Sequence, residues 1–188
     1  MQFDPAIHHR RSIRWKGYDY SQRGLYFVTI ALQGRRCLFG KVNEARVNLT
    51  AAGLLIEQKW LELPHVYGGI ALDEFVVMPN HFHGIVVLVS PFAGQKGQAQ
   101  GPAPTLSLPD VVHRFKTLTT TQYIRGVKTD GWPSFDGRLG QRNYHERVIR
   151  NSNELTNTQR YIHDNPLRWE FDRLNPNAKA IDDKDPWL

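Results

Sequence analysis

At 188 residues and 40% hydrophobic content, the chain has the length and composition of a single domain with a substantial core, neither disordered nor membrane-embedded. No stretch approaches the roughly 18 consecutive apolar residues of a bilayer span. The single cysteine, Cys37, excludes an internal disulfide and a cysteine-based zinc cluster. The net charge is +6, and residues 1–36 supply +5 of it through seven Arg or Lys against Asp4 and Asp19.

Within that basic segment, residues 1–24 read as an irregular arm. Arg10, Arg11, Arg14 and Lys16 alternate with Trp15, Tyr18 and Tyr20. Cations neutralise phosphates and aromatic faces stack on unpaired bases, so the mixture suits single-stranded nucleic acid; a merely solvated basic arm is the alternative. The arm's cations are not followed by an apolar run, so no secretory leader is expected and the cytoplasm is the default location.

Leu25 to Leu32, LYFVTIAL, is rich in β-branched and aromatic residues and predicts the first strand. Residues 41–49 read as a short strand or an extended link. Thr50 then caps a helix from Ala51 to Leu63, with Leu54, Leu55 and Leu61 as its stripe and Pro64 closing it. Tyr67-Gly68-Gly69 is a turn.

Residues 70–89, IALDEFVVMPNHFHGIVVLV, hold two short apolar runs around a polar break at Pro79-Asn80. Val and Ile dominate, so a pair of strands is predicted. Side chains two apart in a strand share a face, which sends His81 and His83 out together, roughly 6.5–7 Å apart along the chain. Phe82 and Val86 take the other face. Two imidazoles on one rigid strand face suit half of a metal site; paired polar residues at a strand end are the alternative.

Residues 90–105, SPFAGQKGQAQGPAPT, read as a flexible surface loop. A helix is expected from Pro109 to about Arg125, with Val111, Phe115 and Leu118 toward the core. Residues 126–143 look irregular, and Tyr144 to Arg150 is a short mixed segment. Asn151 with Glu154 marks the start of another helix, which Asn165-Pro166 stops near Asp164. Tyr161 and Asn165 are four apart and share a helical face. Residues 1–174 thus form one domain, and 175–188 a loose polar tail.

This order reads as α+β: a ferredoxin-like antiparallel sheet with helices on one face. The face carrying His81 and His83 is then open, and the C-terminal helix can dock there with Tyr161.

The triplet MPNHFHGIV with a downstream YIHDNP resembles the single-tyrosine HUH transposases, of the REP-associated tyrosine transposase type. RRSIRWKGYDYSQRGLYFVTI, FKTLTT and QRNYHERVIR support the match, which runs from Arg10 to about Phe171. The resemblance implies cleavage and rejoining of single-stranded DNA beside hairpins through a covalent 5′-phosphotyrosine, with Mg²⁺ or Mn²⁺. It implies Tyr161 as nucleophile and His81, His83 and Asn165 as metal ligands. Arg10, Arg11, Arg14, Lys16, Tyr18 and Arg142 are the expected DNA contacts. Gly140 stands where the family usually has tryptophan, and 90–105 looks like an insertion. Hairpin DNA is the expected partner, no membrane is, and monomer and homodimer both stay open. A non-catalytic hairpin binder, or a zinc hydrolase using His81, His83 and a third ligand such as His145 or His163, are the alternatives.

Overall fold

β1 (Gly24–Ala31) is the strand that joins the two halves of the chain in the computed structural model, which describes residues 17–89 and 106–179. The basic positions Arg10, Arg11, Arg14 and Lys16 and the stretch 90–105 lie outside the described residues. After β1 come a 3-10 turn at Gln33–Arg35 and a hairpin of β2 (Gly40–Asn43) and β3 (Arg46–Leu49), which form a separate two-stranded sheet. Helix α1 (Ala51–Leu61), short α2 (Leu63–Val66), β4 (Ile70–Val77) and β5 (His81–Leu88) follow. The second half supplies α3 (Leu108–Thr129), β6 (His145–Ile149) and α4 (Ser152–Asp164).

The main sheet runs β4-β5-β1-β6 and every pairing is antiparallel. With the β2–β3 hairpin set aside, this is the ferredoxin-like βαββαβ arrangement. Its fourth strand, β6, is the element that the residues alone left as a mixed segment. HERVI has the short, charged composition of an edge strand, and it becomes a strand because β1 offers it a ladder from Leu25↔Ile149 to Thr29↔His145.

Alternation along β1 and β5 divides the apolar residues between two cores. Tyr26, Val28, Ile30, Phe82 and Val86 meet α1 and α3, where Phe82 lies 4.6 Å from Trp60 and 5.3 Å from Phe115 between ring centroids. Gly84 makes room for that tryptophan: a Cβ there would sit 2.7 Å from Cζ2 of Trp60. On the opposite face Phe27, Ile85 and Ile149 receive Ile162 of α4, with Leu155 and Tyr161 packed against them. Burial of a side chain like Ile162 contributes roughly 1.5–3 kcal/mol, so a few such residues suffice to dock the helix. Arg147 of β6 adds a hydrogen bond from Nη2 to Oγ1 of Thr158 (2.8 Å).

Three helical expectations are corrected. In α1, Leu54 and Leu61 are 54% and 49% exposed, while Ala52, Gly53, Ile56 and Trp60 are buried. The helix is apolar on most sides, so leucine positions do not choose its buried face; the bulk of Trp60 does. Pro64 does not close α1 but sits in the first turn of α2. Helix α3 starts at a capping box of Ser107 with Asp110 and runs past Arg125 to Thr129. Val112, Thr119 and Tyr123 share its buried face with Val111 and Phe115, while Leu118 is only partly covered.

The described start of the tail, residues 175–179, is anchored to the turn before it. Asn175 is buried and its Nδ2 donates to the carbonyl of Trp169 (2.8 Å), and Lys179 N donates to the carbonyl of Glu170 (2.8 Å). No described helix is long and apolar enough to cross a membrane.

Candidate metal and nucleophile site

Beneath α4, β5 presents His81 and His83 on the face away from α1 and α3, and their ring centroids are 4.6 Å apart. The strand alternation thus places them as expected. The face is not open, however. His81 is 0% and His83 3% exposed, because α4 and the chain after it cover them. Removal of either ring would therefore leave a cavity, as it would not on the open face expected from the sequence.

Each imidazole is held from behind through Nδ1. Nδ1 of His81 lies 2.9 Å from Oδ1 of Asn80, and Nδ1 of His83 lies 2.8 Å from Oγ1 of Thr29. Both Nε2 atoms then face the same small space, and such partners orient metal-binding imidazoles in general. Burial favours the uncharged ring in both cases. His81 is lowered to about 4, since burial outweighs the Asp172 charge and the Asn165 amide, which act the other way. His83 is pushed well below its ordinary value by burial, then by the neighbouring charges of His81 and His145. A neutral imidazole is the form that binds a cation.

Helix α4 delivers the next two groups. Its start is set by Asn151, whose Oδ1 accepts from the N–H of Glu154 (2.9 Å). Three turns on, Tyr161 projects onto the histidines. Its hydroxyl lies 3.4 Å from Nε2 of His83, and its ring meets Phe27 edge-on at 5.9 Å between centroids. Asn165, one turn further, is 3% exposed and caps the helix with its N–H on the carbonyl of Ile162 (3.3 Å). Burial raises the Tyr161 pKa and the Asp172 charge adds to this, while the Asn165 amide, Arg168 and Arg147 act against it.

Asp172 is the residue that no sequence pattern pointed to. It follows a 3-10 turn, Trp169–Phe171, and its Oδ2 lies 3.6 Å from Nε2 of His81. Among the described residues, His81, His83 and Asp172 are the one cluster able to hold a metal ion, with ligand atoms within 4.8 Å of one another. Among those residues, too, Nε2 of His81 and Oδ1 of Asn165 are buried without a hydrogen-bond partner. Two imidazole nitrogens, one carboxylate and one unsatisfied amide oxygen fit a divalent cation.

The other candidate residues stand elsewhere. His145 is exposed on β6, opposite Thr29, and His163 is exposed on α4; neither joins the cluster. Tyr144 belongs to the core under α1 and α3. Tyr18 packs edge-on to Tyr20 (4.9 Å) and Tyr26 (6.4 Å) in that same core, five positions along β1 from Ala31, the partner of His81. Arg142 is exposed in the loop before β6, where Lys116 Nζ donates to its carbonyl (3.1 Å). That loop meets the Ala31 end of β1, because Gln141 N donates to the Ala31 carbonyl (2.8 Å).

No family model matches the chain. An uncharacterized protein from Haemophilus influenzae is 34% identical over an alignment of 188 positions that covers 92% of this chain and 97% of that protein. The solved structure of a REP-associated tyrosine transposase bound to a REP hairpin aligns with a TM-score of 0.54 and 18% identity, over 84% of this chain and 74% of that one. At such an identity the likeness is one of fold.

Proposed function

We propose that this chain, which belongs to the same family as the Haemophilus influenzae protein and has the fold of a REP-associated tyrosine transposase, cuts and rejoins single-stranded DNA beside hairpins. The observation that carries this reading is the approach of Tyr161 to His83, 3.4 Å, inside the cluster that His81 and Asp172 complete.

His81, His83, Asp172 and Asn165 would hold a divalent cation, Mg²⁺ or Mn²⁺, which when bound polarises the scissile phosphate and offsets its developing charge. Two imidazoles among the ligands favour Mn²⁺ over Mg²⁺. The reaction itself belongs to Tyr161. Its Oη gives up its proton and forms a bond to phosphorus while the P–O3′ bond breaks and O3′ takes up a proton, which leaves a 3′-hydroxyl and a 5′-phosphotyrosine. Attack of a 3′-hydroxyl on that ester reverses the step and rejoins a strand, so no ATP is needed.

The surroundings of Tyr161 decide when it can react. Burial and the Asp172 charge keep the phenol protonated at neutral pH, while Arg147 and Arg168 favour its anion. Nε2 of His83 can bond the phenol or ligate a cation, but its single lone pair cannot do both. Release from His83 frees Oη to turn toward a phosphate.

The hydrolase alternative took His145 or His163 as examples of a third ligand; Asp172 stands in that place instead, so the two readings part on whether a covalent DNA adduct forms. The direct test is incubation with labelled single-stranded hairpin DNA and Mn²⁺, followed by a denaturing gel. A covalent protein–DNA adduct that Tyr161→Phe lacks is expected; no adduct at any metal concentration would sink the reading.

A further inference from the structure

Asn80 occupies the tight connection between β4 and β5, is 1% exposed, and lies next to His81 in the chain. Its side-chain amide has two N–H donors, and both are used. Nδ2 donates to the carbonyl of Arg35 at 3.0 Å and to the carbonyl of Leu174 at 2.7 Å. Rotating the amide by half a turn would set its oxygen against two carbonyl oxygens, so Oδ1 is the atom that faces His81. Oδ1 only accepts. Its 2.9 Å approach to Nδ1 of His81 is a hydrogen bond only when that nitrogen carries the proton.

We infer that Asn80 is a positioning residue, which locks His81 in the tautomer with the proton on Nδ1 and the lone pair on Nε2. The inference rests on the proposed function only in treating Nε2 as the metal-ligating atom. It is not a trivial outcome, because Asp172 invites the other tautomer: Oδ2 lies 3.6 Å from Nε2 and would accept a proton placed there. That separation exceeds a hydrogen bond, whereas the one to Asn80 does not, so Asn80 prevails. His83 has no such lock. Thr29 Oγ1 can donate or accept, so either tautomer of His83 satisfies the 2.8 Å contact.

The same amide governs a second ligand. Leu174 is two residues beyond Asp172, and Leu174 N also donates to Oδ1 of Asp172 (2.6 Å). One side chain therefore sets the rotation of His81 and tethers the segment that brings Asp172 to it.

The experiment is ¹⁵N NMR of the histidine rings in the full chain without metal, with His81→Gln to assign the His81 signals. Wild type should show Nδ1–H and a bare Nε2 at His81. Asn80→Ala should lose that single tautomer and weaken Mn²⁺ binding, measured by calorimetry, by roughly 10–100-fold. Asn80→Asp keeps an acceptor for Nδ1 and should keep the tautomer, even where the lost tether lowers the melting temperature. A role in stability alone would not move the tautomer. Nε2–H at His81 in wild type overturns the inference, with no variant needed. So does an Asn80→Ala protein that is folded and unchanged in both tautomer and Mn²⁺ affinity. Wild type that takes up no metal overturns the functional reading instead, and the tautomer measurement tells the two failures apart.

Discussion

The hydroxyl of Tyr161 lies 3.4 Å from Nε2 of His83, although 78 residues separate them in the chain. One residue is on the third strand of the ferredoxin-like core and the other on a helix that folds back over the opposite face of the sheet. The relationship singles out one tyrosine. Tyr161→Phe should abolish the covalent adduct and still bind hairpin DNA, since the ring and its packing against Phe27 remain. Tyr144→Phe should retain the adduct, because Tyr144 sits on the far side of the sheet, and should cost about 1 kcal/mol of stability at most. Mass spectrometry that finds the nucleotide on Tyr144 would reverse this assignment.

Both histidines should prove essential and structurally costly at once. His81→Ala and His83→Ala should each eliminate metal-dependent cleavage and lower stability by about 2 kcal/mol, because each ring is buried. Gln in their place fills more of the volume and separates the two effects. Cleavage assays beside thermal unfolding read both; wild-type cleavage by either variant would remove the metal site from the proposal.

Asp172 offers the sharpest comparison with Asn165. Asp172→Asn removes a negative charge that faces His81, so Mn²⁺ affinity should fall about tenfold or more. Asn165→Ala, which removes a neutral oxygen, should weaken binding less. Calorimetric titration of both variants gives the order, and equal losses would demote Asp172 to a structural role.

Acid should destabilise the metal-free protein. His81 titrates near 4 when folded against 6.5 as its ordinary value. Between those values the unfolded chain holds more protons, so stability is complete above about 6.5 and is lost as pH falls toward 4. The loss from this ring is about 3 kcal/mol, and His83, lowered for the same reason, acts in the same direction. Urea midpoints at pH 7.5 and 4.5 in a chelator measure it. His81→Gln should flatten the difference; an identical slope would mean that the ring ionises without penalty.

The basic arm should act through charge. Replacing Arg10, Arg11 and Arg14 together should weaken hairpin binding and reduce its dependence on salt, each lost phosphate contact lowering the slope by about 0.7. Filter binding across a salt series, with a duplex of the same sequence as competitor, is the measurement. Duplex binding as tight as hairpin binding would count against an arm that stacks on unpaired bases.

Local chemistry was legible where short stretches decide their own structure. The β-branched runs of β1, β4 and β5, the Asn151 cap and the proline after Asn165 each act within a few residues. From them the strand alternation placed His81 with His83, and helical spacing placed Tyr161 with Asn165. What required the folded chain were partnerships over long separations. HERVI becomes β6 only because β1 has an unpaired edge, and α1 turns Trp60 rather than its leucines inward because the sheet leaves room above Gly84. Asp172 reaches His81 across 91 positions because Asn80 binds the Leu174 carbonyl and draws that segment down. No periodicity encodes such a contact. Its hydrogen bonds exist only once the sheet has closed and excluded the water that would otherwise satisfy them.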